Sequence, residues 1–229
     1  MSDDSILIPG LGVTVLFVSN PHASRYVLRM ASDGTFRCAI PRRGSLREAR
    51  EFVARNHAWL EKQIERRRAH PPPSTEWPDG HEFLFRGEPA RIEFRESDGV
   101  VCFADQIVPL RGGTTNFRPV VEWRLRNLAA REFPPRVREI AEQHGLHVAR
   151  VSVRAQRSRW GSCSHNKTIS LNWRLIQSPA FVRDYVIVHE LMHLRHMNHS
   201  NDFWNAVAQA FPDWKASEAW LKKHSGLLR

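Results

Sequence analysis

Apolar and polar residues alternate from Val13 to Ile40, first in VTVLFVSN and again in YVLRMASDGTFRCAI. A period of two marks half-buried strands, and the SDG at Ser32 to Gly34 supplies a turn, so antiparallel strands joined by a hairpin are predicted. The period then changes. In SLREAREFVARNHAWLEKQIERRR, the apolar residues Leu46, Ala49, Phe52, Val53, Trp59, Leu60 and Ile64 recur near helical spacing. One long helix over about residues 45–69 follows, with Ser45 and Glu48 completing a capping box. The prolines Pro71 to Pro73 end it.

Short strands resume in HEFLFRGEPARIEF and VVCFADQIVPL, and RGGTTN breaks the pattern. From Phe117 to Gly145 the helical period returns through Val121, Leu125, Leu128, Phe133, Val137 and Ile140. Pro134 and Pro135 there predict a kink or two helices, and Gly145 a C-cap. HVARVSVRAQ and TISLNWRLI are strand-like and flank the polar loop RSRWGSCSHNK. A helix entered at Pro179 runs through AFVRDYVIVHELMHLRH, and two closing helices follow, with Ser200 and Asp213 as caps. The pattern describes an α+β protein. A strand-rich N-terminal part, residues 1–112, carries the long helix. A helical C-terminal part, residues 113–229, has a small antiparallel sheet beside its histidine-bearing helix, and the boundary is expected near Gly112.

A chain of 229 residues buries a core without needing a metal or disulfide staple. Cys38, Cys102 and Cys163 are odd in number and lack paired zinc-ribbon spacing, so they are read as reduced thiols. No apolar run spans a membrane and MSDDSILIPG does not resemble a secretory signal, which makes the cytoplasm the expected compartment. A formal charge of +10 and a pI of about 10.5 point to polyanionic partners, nucleic acid among them. Composition says nothing of oligomeric state.

The chemistry lies in VHELMHLRHMNHS, Val188 to Ser200. His189 and His193 are four apart, so on a helix their imidazoles project from one face and can grip one ion. Glu190, beside the first ligand, can deprotonate a water that the metal activates and serve as general base. A catalytic zinc usually has three protein ligands, and His196 and His199 compete for the third place. His196 prolongs the helical stripe, from which three rings cannot converge tetrahedrally. A helix ending near His196, with Asn198 turning the chain through left-handed backbone, would swing His199 to the metal. His199 is therefore preferred. A purely structural zinc site would favour four ligands and cysteine, whereas three histidines with an adjacent acid favour catalysis by one zinc ion.

RSRWGSCS, ISLNWRLI and VIVHELMHLRHMNHSNDFW together resemble the YgjP-like metallopeptidase family, a zincin group related to SprT-like and Wss-type proteases. The resemblance is strongest over Val151 to Trp204 and extends from about Arg42. It implies a zincin-like C-terminal core, zinc on His189, His193 and His199, and Glu190 as acid/base. It also implies that WGSCS and the following strand lie beside the active-site helix, offering a sheet edge to an extended peptide. SprT-like relatives act on proteins bound to DNA, so the alternative reading is a nucleic-acid-associated protein or DNA-linked protease using a basic surface.

Other residues near the motif have two readings each. Gly161 either permits a close backbone approach or makes an ordinary turn. Cys163 is expected to pack rather than react, and Tyr185, one turn before His189, to pack rather than donate to an oxyanion. Arg157 and Arg159 either meet a substrate carboxylate or solvate a strand end. Trp173, Trp204, Trp214 and Trp220 are expected to pack the core and helices.

Overall fold

The computed structural model describes residues 5–31, 33–69, 75–156 and 158–228. Ser32 of the expected turn, Pro71 to Pro73 of the expected helix stop, and Arg157, which carried two readings, lie outside them. The chain forms two compact units, residues 1–72 and 73–229.

In the first unit, β1 (Ser5–Ile8), β2 (Val13–Ser19), β3 (Val27–Met30) and β4 (Phe36–Ile40) form one sheet in the order β1-β2-β4-β3. The hairpin β3–β4 is antiparallel as predicted, with Asp33 Oδ1 accepting from the Thr35 N–H at 2.8 Å in its turn. β4 returns between β3 and β2, however, and pairs with β2 in parallel. Two helices follow instead of one, α1 (Leu46–Arg55) and α2 (His57–Ala69). The capping box at Ser45 and Glu48 is formed. The break falls at Asn56, whose side-chain amide donates to the Phe52 carbonyl at 2.7 Å, a local bond that competes with continued helix. Val15, Phe36, Cys38, Ala49, Val53 and Leu60 are the buried centre of this unit.

The second unit opens with two small antiparallel sheets. β5 (Glu82–Phe85) pairs with β6 (Glu88–Arg91), while β7 (Glu93–Arg95), β8 (Val100–Phe103) and β9 (Gln106–Pro109) form the other. Trp77, Phe83, Phe85 and Phe103 from this region are buried in the same core as the helices that follow. The division between compact units falls after residue 72 and not near Gly112, because hairpins that look separable in sequence pack their buried side chains into the second core.

α3 (Arg118–Gln143) is one continuous helix despite Pro134 and Pro135. Its stripe of Leu125, Leu128, Phe133, Val137 and Ile140 is buried on both sides of the prolines, and that packing outweighs a cost of about 3 kcal/mol for an interior proline. Gly145, at φ +62°, follows its C-cap, and the Leu146 N–H returns to the Ala141 carbonyl at 2.8 Å, closing the helix.

β10 (Arg150–Arg154), β11 (Gly161–Cys163) and β12 (Thr168–Asn172) form a sheet in the order β10-β12-β11. It is mixed and not purely antiparallel, since β10 and β12 run parallel and β11 antiparallel. The predicted second strand stops at Asn172, whose side-chain oxygen accepts from the Arg174 N–H and starts a 3-10 turn over Trp173–Gln177. Three helices complete the unit, α4 (Ala180–Met192), α5 (Asn201–Ala210), capped by Ser200, and α6 (Trp214–His224). Asp213 stands at the N-cap of α6 without a side-chain bond. No described helix is long and apolar enough to cross a membrane.

Candidate metal centre

Val182, Val186, Ile187, Val188 and Leu191 are buried, so α4 is wrapped on most sides by α3, α5, α6 and β11. Asp184 fixes it to α3, accepting from Arg136 at 2.7 Å and from the adjacent Arg183 at 2.9 Å. Asp184, together with Glu139 of α3, which accepts from the same guanidinium at 2.7 Å, holds Arg136 far above its ordinary range. A helix so confined has little freedom to slide, which fixes the histidines at its C-terminal end.

α4 ends at Met192, earlier than expected, and His193 caps it while still in helical conformation. His189 and His193 thus keep their shared face. The chain then turns tightly, with the Leu194 N–H bonded to the Leu191 carbonyl and the Arg195 and His196 N–H groups to the Met192 carbonyl. Among the described residues positive φ outside glycine occurs only at Arg86, Ala104 and Lys167, so Asn198 does not use left-handed backbone. Successive tight turns bring His199 round instead.

The ligating atoms of His189, His193 and His199 lie within 4.8 Å of one another. The Nε2 atoms of His189 and His199 face each other at 3.2 Å. Two nitrogens bound tetrahedrally to one zinc at about 2.05 Å would be about 3.3 Å apart, so the pair has the spacing of co-ligands. His196 stays outside the cluster and contributes its backbone. Its carbonyl accepts from His193 Nδ1 at 3.0 Å, leaving the His193 Nε2 lone pair free for a metal. His189 Nδ1 is buried with no hydrogen-bond partner among the described residues. Burial, followed by the neighbouring imidazoles, lowers His189 to about 4, and burial lowers His193 as well. Both rings are neutral at physiological pH, the state a metal ion requires. These donors fit a borderline-soft divalent cation.

Phe203 of α5, fully buried, is the floor of the cluster. Its ring centroid lies 4.4 Å from that of His193 in a stacked arrangement, 5.0 Å from His189 and 4.8 Å from His199. Trp204 stacks on His199 at 5.8 Å and on Trp214 at 4.8 Å. Sequence reasoning did not single out Phe203. Its signal was the position four residues beyond His199, one turn into a capped helix.

Glu190 is only 6 % exposed and lies against β11. Burial pushes its carboxyl up to about 8, opposed by the Arg159 guanidinium and by the backbone N–H of Cys163, which donates to it. An open cleft of about 1040 Å³ reaches this carboxyl and all three imidazoles, walled by Arg159 and β11 on one side and by Lys215 and Lys222 of α6 on another. A buried acid, three converging imidazoles and an open cleft are the components of metal-assisted hydrolysis.

The model of the YgjP-like family, metallopeptidase domain, matches residues 24–224. The chain belongs to the YgjP-like metallopeptidase family. Two solved structures resemble part of this YgjP-like metallopeptidase. The metallopeptidase zymogen abylysin of Pyrococcus abyssi shares 23% identity over 39% of this chain and 91% of its own, with a TM-score of 0.36. The zymogen jannalysin of Methanocaldococcus jannaschii shares 22% identity over 39% and 92%, also with a TM-score of 0.36. No curated protein matches the chain.

Gly161 is a strand residue of this metallopeptidase and not a turn, and the close approach at it is made by Glu190. Arg159 is exposed on the cleft wall. Cys163 also lines the cleft, but burial and then Glu190 push its thiol up to about 11, so it carries no thiolate at neutral pH. Tyr185 packs edge-on against His189 at 6.0 Å, and its hydroxyl, pushed up to about 12 mainly by burial, stays protonated. Trp173 is buried in the core, and Trp220 stacks on His224 at 4.4 Å.

Proposed function

We propose that this peptidase holds one zinc ion on His189, His193 and His199 and uses Glu190 as its general base, with a polypeptide as substrate. The observation that carries the reading is the meeting of three imidazoles beside a buried, hydrogen-bonded carboxyl. When bound, the cation supplies Lewis acidity toward a carbonyl oxygen and toward water. Nitrogen donors without a thiolate suit zinc, and the open cleft is what a catalytic site needs and a structural one lacks.

The remaining work falls to the chain itself. In the metal-loaded site, where the nearby positive charge favours the ionised form, Glu190 takes a proton from the attacking water on its carboxylate and delivers it to the departing amine nitrogen as the C–N bond breaks. The Cys163 N–H holds that carboxylate on the cleft wall between the two transfers. His196, through its carbonyl, and Phe203, through its ring, orient the imidazoles. Three unpaired cysteines support a reducing, cytoplasmic setting.

The test is digestion of a denatured protein substrate before and after chelation and zinc restoration. Chelation is expected to stop cleavage and zinc to restore it. Glu190→Gln should bind as much zinc as the parent while turnover falls by about 10²- to 10⁴-fold. Near-parental hydrolysis by the zinc-loaded variant would refute the role given to Glu190.

A further inference from the structure

The four-stranded sheet of residues 1–72 buries one face in its own core and leaves the other open. Register defines the open face. Leu16, Arg37 and Arg29 lie side by side across β2, β4 and β3, and the next row is Val18, Ala39 and Val27. Arg29 and Arg37 are therefore directly opposed like charges, an arrangement that weakens a strand pair. Val18 is 45 % exposed, beyond what an isolated strand face needs. A groove of about 630 Å³ runs over these rows, with Arg25 in its lining and, among the described residues, no aspartate or glutamate.

None of Arg25, Arg29 and Arg37 makes an ion pair of the salt-bridge kind among the described residues, and Asp33 in the β3–β4 turn is the acid that acts on Arg37 at longer range. Glu48, the nearest acid of the adjoining Arg42 and Arg43 pocket, is engaged by Tyr26 and Ser45. Residues 1–72 hold half of the formal charge of +10 in less than a third of the chain.

We infer that this face docks an acidic polypeptide segment with apolar side chains between its carboxylates. Arginine forks pair with carboxylates, and a multivalent acid relieves the opposed Arg29 and Arg37. The apolar row of Val18, Ala39 and Val27 decides against a nucleic-acid backbone, which would leave it uncovered. The groove lining also holds no tryptophan, tyrosine or phenylalanine on which bases could stack. β3 is an edge strand, so an extended segment can also bond to its free backbone. The inference stands apart from the metal reading, since it concerns binding alone.

The experiment measures fluorescence anisotropy of a labelled peptide alternating glutamate and valine, against the intact chain, over about 50–200 mM salt. Binding is expected, weakening with salt. Arg29→Gln with Arg37→Gln should lose at least about tenfold in affinity and Val18→Ser about threefold, each with a thermal midpoint no lower than the parent. Arg138→Gln with Arg150→Gln, on exposed sites of the second unit, should change nothing. Three results would overturn the inference: no binding of the peptide, equal loss in the Arg138 and Arg150 control, or tighter binding of a short DNA duplex that ignores Val18→Ser.

Discussion

A methyl group placed on Gly161 would lie 2.5 Å from Oε1 and 2.6 Å from Cγ of Glu190. The carboxyl of the central acid thus occupies space that only a residue without Cβ leaves open, and the N–H of Cys163, two residues along the same strand, holds it there. Gly161→Ala should displace Glu190, costing about 1–3 kcal/mol by overpacking and at least about tenfold in turnover. In a Glu190→Ala background the clash is gone, so the same substitution should raise stability or leave it unchanged. Thermal melts of the four proteins in this cycle check the coupling. Equal losses in both backgrounds would show that Gly161 acts on something other than Glu190.

The buried carboxyl also makes the metal-free chain sensitive to pH. The pKa of Glu190 is raised in the fold from 4.5 to about 8, so between those values the folded chain binds more protons than the unfolded one. Stability from this group is complete below pH 4.5 and lost as pH rises toward 8, by up to about 5 kcal/mol. His189 has the opposite sign. Its pKa falls from 6.5 to about 4, so its contribution is present above 6.5 and lost as pH falls toward 4. Chelator-treated Glu190→Gln should therefore gain on the chelated parent as pH increases from 5 to 8. Urea titrations across that range measure the difference, and parallel curves would contradict it.

Phe203 supports all three rings from below. Phe203→Ala leaves a void there, with an expected cost of about 3–5 kcal/mol, while Phe203→Leu should cost less. Zinc affinity should weaken in the same order because the imidazoles lose their packing. Competitive chelator titration follows that affinity, and unchanged zinc binding in Phe203→Leu together with Phe203→Ala would remove Phe203 from the support of the centre.

The meeting of His189, His193 and His199 was legible because it depends on local geometry. Helical spacing sets the first pair, and the exclusion of His196 follows from the impossibility of three convergent ligands on one straight helix. The route by which the chain turns was not legible, since Asn198 offers a left-handed turn that tight turns made unnecessary. Long-range pairings were hidden for a related reason. Alternation shows that β2, β4, β10 and β12 are strands, yet parallel and antiparallel neighbours bury the same faces. The continuity of α3 through two prolines and the union of the hairpins with the helical core both depend on contacts between distant segments, which no local signal carries. Close approach was one of two readings that the sequence left open for Gly161, and the partner that decides between them emerged only when β11 was placed against α4.

Metal content by mass spectrometry of the purified parent, His199→Ala and His196→Ala tests the central claim most directly. About one zinc per chain is expected in the parent and in His196→Ala, whose backbone carbonyl still orients His193, and almost none in His199→Ala. A metal-depleted His196→Ala beside a fully loaded His199→Ala would contradict the account.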